Sequence, residues 1–194
     1  MAKIAVIQGH PDPAGDRLCH ALAAAYIEGA RGAGHDADLI DVGQLDFPLL
    51  RTQDSWQRGA EDTPDALKPA QAACRAADHI VLVYPLWLGT LPALLKGFLE
   101  QTFRPGVALS YGDGFPKPLF KGKSARVVIT MGMPALAYRW YFFAHSLKSL
   151  ERNILGFVGM RPIRSTLYGS VEAVSTDKRR RWLDEMRTLG ARAR

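Results

Sequence analysis

The chain has 194 residues, 47% hydrophobic and 23% charged, an ordinary globular composition that excludes disorder and suits one domain over residues 1–194, burying roughly 70% of its unfolded surface. Net charge is +6, spread as −4 over residues 1–97 and +10 over residues 98–194, which hints at an anionic partner. Cys19 and Cys74 have neither CxxC nor Cys/His spacing, which argues against a disulfide framework or a metal site and for a reducing cytoplasm.

Residues 4–7 form an apolar run too short for a signal peptide. The uncharged stretch 80–95 falls short of the ~20 residues of a membrane span and is broken by Pro85, Gly89 and Pro92, so no membrane insertion is expected.

Lys3–Gln8 reads as a strand handing over to a loop at Gly9, His10, Pro11, Asp12 and Pro13. Apolar positions at Leu18, Ala21, Leu22, Ala25 and Tyr26 predict a helix stopped by Gly32 and Gly34. Residues 37–42 predict a second strand, 65–77 a helix and 80–84 a strand buried on both faces, while the polar stretch 52–69 reads as a loop. A third helix follows Pro92, then a strand over 125–130, a helix over 143–154, a strand over 163–168 and a final helix over 177–190. This alternation predicts an α/β fold: a doubly wound, flavodoxin-like, five-stranded parallel sheet of order 2-1-3-4-5, binding ligands at the carboxyl ends of its strands.

Three loops fall at those ends. The first, 9–17, opens the first helix, whose free N–H groups favour a phosphate, with His10 and Arg17 as further donors; the plainer reading is a structural turn with a surface histidine. It is not the dinucleotide fingerprint GxGxxG, and Asp16 would compete with an anion for the same N–H groups. The second loop, 84–92, offers aromatic and aliphatic surface around Trp87, suited to a planar ring or to filling the core beneath the loop. The third begins at Thr130, Met131 and Gly132 and would lie beside the second.

With its first loop, and still more with the run 84–103 that begins Tyr84-Pro85-Leu86-Trp87-Leu88-Gly89-Thr90, the chain resembles the flavodoxin-like NAD(P)H:quinone reductases, which are dimeric flavoenzymes. Lys121-Gly122-Lys123, Thr130 and Gly132 extend the likeness from residue 3 to about 138. The resemblance implies a homodimer that carries FAD, or alternatively FMN. It would oxidise NAD(P)H and pass two electrons in ping-pong fashion to a quinone or similar flat acceptor.

By the same resemblance His10, Arg17, Leu18 and Cys19 hold the cofactor phosphates, and Pro85, Leu86, Trp87 and Leu88 border the flavin ring, with Thr130, Met131 and Gly132 along its other edge. Backbone N–H groups after Leu86 and the hydroxyl of Tyr138, the matched catalytic residue, would steady negative charge on the ring. The family's catalytic His would fall at Ala144, with His145 one residue later. Tyr111 resembles an aromatic lent by a partner subunit to the substrate pocket, or else it packs on the surface.

A different function, a flavin-binding regulatory subunit of a membrane transport protein, draws on the basic C-terminal half. Nucleic-acid binding through residues 178–181 is set aside, because four basic residues on a helix that also carries Trp182, Leu183 and Met186 read as a solvated face. His20, His35 and His79 have no partners at ligand spacing.

Overall fold

The computed structural model describes residues 1–112 and 114–193. Five strands, β1 (Lys3–Gln8), β2 (Asp36–Asp41), β3 (His79–Pro85), β4 (Ser124–Thr130) and β5 (Ile163–Tyr168), form one parallel sheet in the order β2-β1-β3-β4-β5, the order predicted. Its register sets Ile7 against both Ile40 and Leu82, Leu82 against Val127, and Val127 against Ser165. A strand turns alternate side chains to opposite faces, so Ile4, Val6, Val81, Val83 and Val128 face one layer of helices, while Ala5, Ile7, Leu82, Val127 and Ile129 face the other.

The first layer holds α1 (Leu18–Gly32) and the last helix, α6 (Thr176–Ala191); the second holds α2 (Lys68–Ala76), α3 (Ala93–Thr102), α4 (Ala135–Trp140) and α5 (His145–Ser149). α1 and α6 meet backbone to backbone. A Cβ at Gly29 would stand 1.9 Å from the carbonyl oxygen of Arg187, and one at Gly190 would stand 2.0 Å from that of Tyr26.

The structure corrects two local expectations. In place of one helix over 143–154, α4 begins at Ala135, and the chain then passes through left-handed backbone at Phe143 and Ala144 (φ 53° and 48°) before α5, which runs on as a π-helical turn, Leu150–Leu155. Four consecutive aromatics, Trp140 to Phe143, cannot share one buried helix face, and the break leaves them exposed. The stretch 52–69 is not a plain loop: it holds the helix Gln53–Gln57, capped by Thr52, and two 3-10 turns. Buried Arg104 pins it, donating to the carbonyl oxygens of Ser55 (2.6 Å) and Gly59 (3.4 Å) and to the side chain of Gln101. A two-residue antiparallel pair, Leu109–Ser110 with Lys117–Pro118, also went unpredicted.

Candidate functional site

The loops after β1, β3 and β4 converge, because these are neighbouring strands running the same way, and enclose a cleft of about 670 Å³. His10, Arg17, Leu18 and Cys19 line it from the first loop and α1, Pro85, Leu86 and Trp87 from the second loop, and Thr130, Met131 and Gly132 from the third.

The first loop is braced by its own polar groups. The His10 N–H donates to the Gln8 side chain, and His10 Nδ1 accepts from the Asp12 N–H at 3.1 Å. Asp12 accepts from the Ala14 N–H at 2.9 Å and from Arg17 Nε at 2.8 Å, and Arg17 lies 3.2 Å from Asp16. The Ala14 N–H and then Arg17 hold the Asp12 carboxyl below its usual range, while burial, and then His20, push the His10 imidazole down. Asp16 is thus paired with Arg17 and does not cap α1. Arg17 is the N-cap residue, no side chain caps it, and the first turn has no acidic residue, so the helix presents its N-terminal amides to the cleft uncompensated.

The second loop is a two-residue hairpin. Trp87 and Thr90 exchange backbone hydrogen bonds of 2.9 and 3.0 Å, and Leu88 and Gly89 between them both have positive φ, 47° and 79°. The Trp87 N–H is therefore spent on Thr90 and the Leu86 N–H on the Thr130 carbonyl at 2.8 Å, so of the donors expected after Leu86 that of Trp87 is committed within the chain. Leu88, at the turn's tip, is fully exposed and lies outside the cleft. Trp87 turns back over His10 edge-on, with ring centroids 5.6 Å apart. Below them Cys19 Sγ lies 3.2 Å from Thr130 Oγ1, joining α1 to β4, and burial pushes its thiol up to about 12, which rules out a resting thiolate.

Tyr138, His145 and Tyr111 stand elsewhere. Tyr138 is buried in the core, where its hydroxyl bonds Ser146 Oγ at 2.7 Å and accepts the Leu147 N–H at 3.1 Å, capping α5. His145 is exposed at the start of α5 with its ring against Phe143, and Tyr111 is half exposed; neither lines the cleft.

Sequence reasoning missed Val171, Glu172 and Arg179, which close the far side of the cleft. Arg179 Nη2 donates to the Val171 carbonyl at 2.9 Å and the Glu172 carbonyl at 3.5 Å, so one member of the basic run 178–181 is not simply a solvated face. Topology held the signal: α6 starts where β5 ends, at the same sheet edge as α1. Among the described residues no group of three or more His, Cys, Asp or Glu is placed to hold a metal ion, and no helix is long and apolar enough to cross a membrane.

A family model described as flavodoxin-like fold matches residues 2–189. A ribosyldihydronicotinamide dehydrogenase-like protein of Penicillium crustosum is 28% identical over 67% of the chain but only 57% of its own length, so the match spans little more than half of that relative. An FMN-dependent NADH:quinone oxidoreductase of Nitratidesulfovibrio vulgaris is 29% identical over 86% of each chain. Among solved structures, an NAD(P)H:quinone oxidoreductase from Methanothermobacter marburgensis superposes with a TM-score of 0.80 at 20% identity, over 100% of this chain and 99% of the other, a likeness of fold.

Proposed function

The chain belongs to the family with the flavodoxin-like fold, and from that premise we propose that it is a flavin-dependent NAD(P)H oxidoreductase reducing quinones or similar flat acceptors. The observation that carries the reading is the single cleft in which an uncapped helix N-terminus, His10 and Trp87 stand within reach of Thr130 to Gly132. An N-terminus with no acid and no cap fits a phosphate, and the walls beside it fit a flat ring.

FMN takes precedence over FAD as the cofactor, because the Nitratidesulfovibrio relative is named for FMN. Bound FMN would supply the two-electron chemistry that links NAD(P)H to the acceptor. The α1 amides and His10 hold the phosphate, Pro85, Leu86 and Trp87 wall the ring on one side, and Thr130, Met131 and Gly132 wall it on the other. Arg179, tethered to two carbonyls, sets a fixed cation across from Arg17. Tyr138 serves through α5, because its hydroxyl is committed there.

Leu136, Trp140, Tyr141, Phe142 and Phe143 make an exposed apolar face, Trp140 at 70% and Tyr141 at 77% exposure, more than an isolated monomer usually leaves in water. This supports a homodimer, in which Tyr111 on its exposed loop would reach toward a second copy's cleft. Two free buried cysteines support a reducing, cytoplasmic location.

The test is the colour of the purified protein. A yellow protein, or one that turns yellow on reconstitution, releasing a chromophore of the mass of FMN and turning over NAD(P)H with a quinone, is the expected result. A released FAD would overturn the cofactor assignment, and a protein that cannot be loaded with any flavin would overturn the function.

A further inference from the structure

Where the chain enters β5, at the opposite end of the sheet from the cleft, two cavities share a wall. One is an apolar slot of about 200 Å³ between α3 and the helix Gln53–Gln57, lined by Trp56, Leu99, Phe103, Leu109, Ile154 and Val158. The other, about 860 Å³ and open to solvent, is lined by Glu151, Arg152, Arg161 and Ile163. Asn153 and Phe157 border both, so the two form one continuous groove, and the 46% exposed ring of Phe157 stands at the join. The shared wall is the π-helical turn Leu150–Leu155 with the residues after it, a form of backbone that recurs where a helix shapes a functional surface.

The two ends of the groove differ in chemistry. At the slot, Lys96 and Glu100 pair with each other, which leaves the walls apolar. In the open cavity the guanidinium groups of Arg152 and Arg161 have no ion-pair or hydrogen-bond partner among the described residues. Glu151 does not neutralise them: its carboxyl accepts from the Ser165 side chain on β5, and burial pushes it above the usual carboxylate range. An apolar cavity of ~150 Å³ takes a benzene ring, so the slot has room for a ring or a folded alkyl chain, while unpaired guanidinium groups favour a carboxylate. A wholly apolar ligand would leave the arginines unused, and a small anion would leave the slot unused. An amphipathic anion uses both.

We propose that this groove is a second binding site, separate from the cleft, for a medium-chain carboxylate whose tail enters the slot beside Trp56 and Phe103 and whose head lies at Arg152 and Arg161. The site does not depend on the flavin reading, since no residue of the cleft belongs to it.

The probe is octanoate, titrated calorimetrically into the full chain and compared with hexanoate, two methylenes shorter, and with 1-octanol, which lacks the charge. The expected result is saturable binding of one octanoate per chain, about fifteenfold weaker for hexanoate, as the loss of two buried methylenes requires. Binding should be about tenfold weaker for 1-octanol, and about tenfold weaker for octanoate in the double variant Arg152→Gln, Arg161→Gln, whose exposed positions leave the unliganded Tm unchanged. Absence of octanoate binding overturns the proposal. So does equal affinity for octanoate and 1-octanol, which would mark an apolar patch only, or an affinity that falls as protein concentration rises, the sign of a second copy covering the groove. Octanoate that is displaced by FMN would lie in the cleft, and that result too would overturn a separate site.

Discussion

At Leu88 the turn imposes on a leucine a backbone conformation suited to Asn or Gly. Both central residues of the Trp87–Thr90 turn have positive φ, and a leucine there carries a penalty of about 1 kcal/mol that its exposed side chain does not offset within this chain. Leu88→Asn, creating the favoured Asn-Gly pair, should raise stability by about 0.5–1 kcal/mol in urea unfolding. A loss instead would show that the side chain has a partner, as it would in a dimer.

His79 poses a different residue-scale problem. It is buried with Nδ1 2.7 Å from Ser124 Oγ, and burial, followed by the positive charges of Arg126 and Arg164, lowers its pKa from near 6.5 to about 4. The folded state holds it neutral, so its contribution is full above pH ~6.5 and is lost as pH falls toward 4, where the unfolded chain binds the proton more readily. The difference is worth roughly 3 kcal/mol. Wild type should lose more stability between pH 7 and pH 4 than His79→Leu does; equal losses in chemical denaturation would show that His79 does not carry the dependence. None of this was legible in the sequence, where His79 was one polar residue before an apolar run.

At the level of elements, the strands and most helices were readable because hydrophobic period and Gly/Pro punctuation are local properties. The contact of α1 with α6 was not, although both glycines lay in plain view. In the sequence Gly29 reads only as one residue of the first helix and Gly190 as the end of the last, whereas each gives room for the other helix's backbone. Gly29→Ala or Gly190→Ala should each cost at least about 2 kcal/mol, by forcing the helices apart. Because one separation relieves both clashes, the double variant should cost less than the sum of the singles. Strict additivity in thermal or urea unfolding would contradict a shared contact.

The helix over 143–154 failed as an expectation for an equally local reason. Its apolar spacing matched a helix face, but Trp140 to Phe143 overloaded the turn before it, and the hydroxyl of Tyr138 caps the shorter helix that results.

On the scale of the whole molecule, the exposed aromatic face is the feature that a lone copy leaves unexplained. Sedimentation should find a dimer, and Trp140→Ser with Tyr141→Ser should shift it toward monomer. A wild-type protein that remains monomeric at high concentration would remove the homodimer from the proposed function. The charge asymmetry, by contrast, does not mark the site: His10 and Arg17 come from the net-negative half, while Arg179 comes from the net-positive one.

The strands and helices, the doubly wound class their alternation implies and the chemical character of the three loops were determined by the sequence alone, because each is read from residues near one another along the chain, and the strand order followed from the usual arrangement of such a sheet. Tertiary structure decided which side chains meet. A parallel sheet returns every strand to the same edge, so residues 10, 87, 130 and 179 become neighbours across most of the chain's length. The same packing turns Tyr138 into the core and seals His20 behind His10, since the face of a helix that is buried depends on the distant elements that cover it.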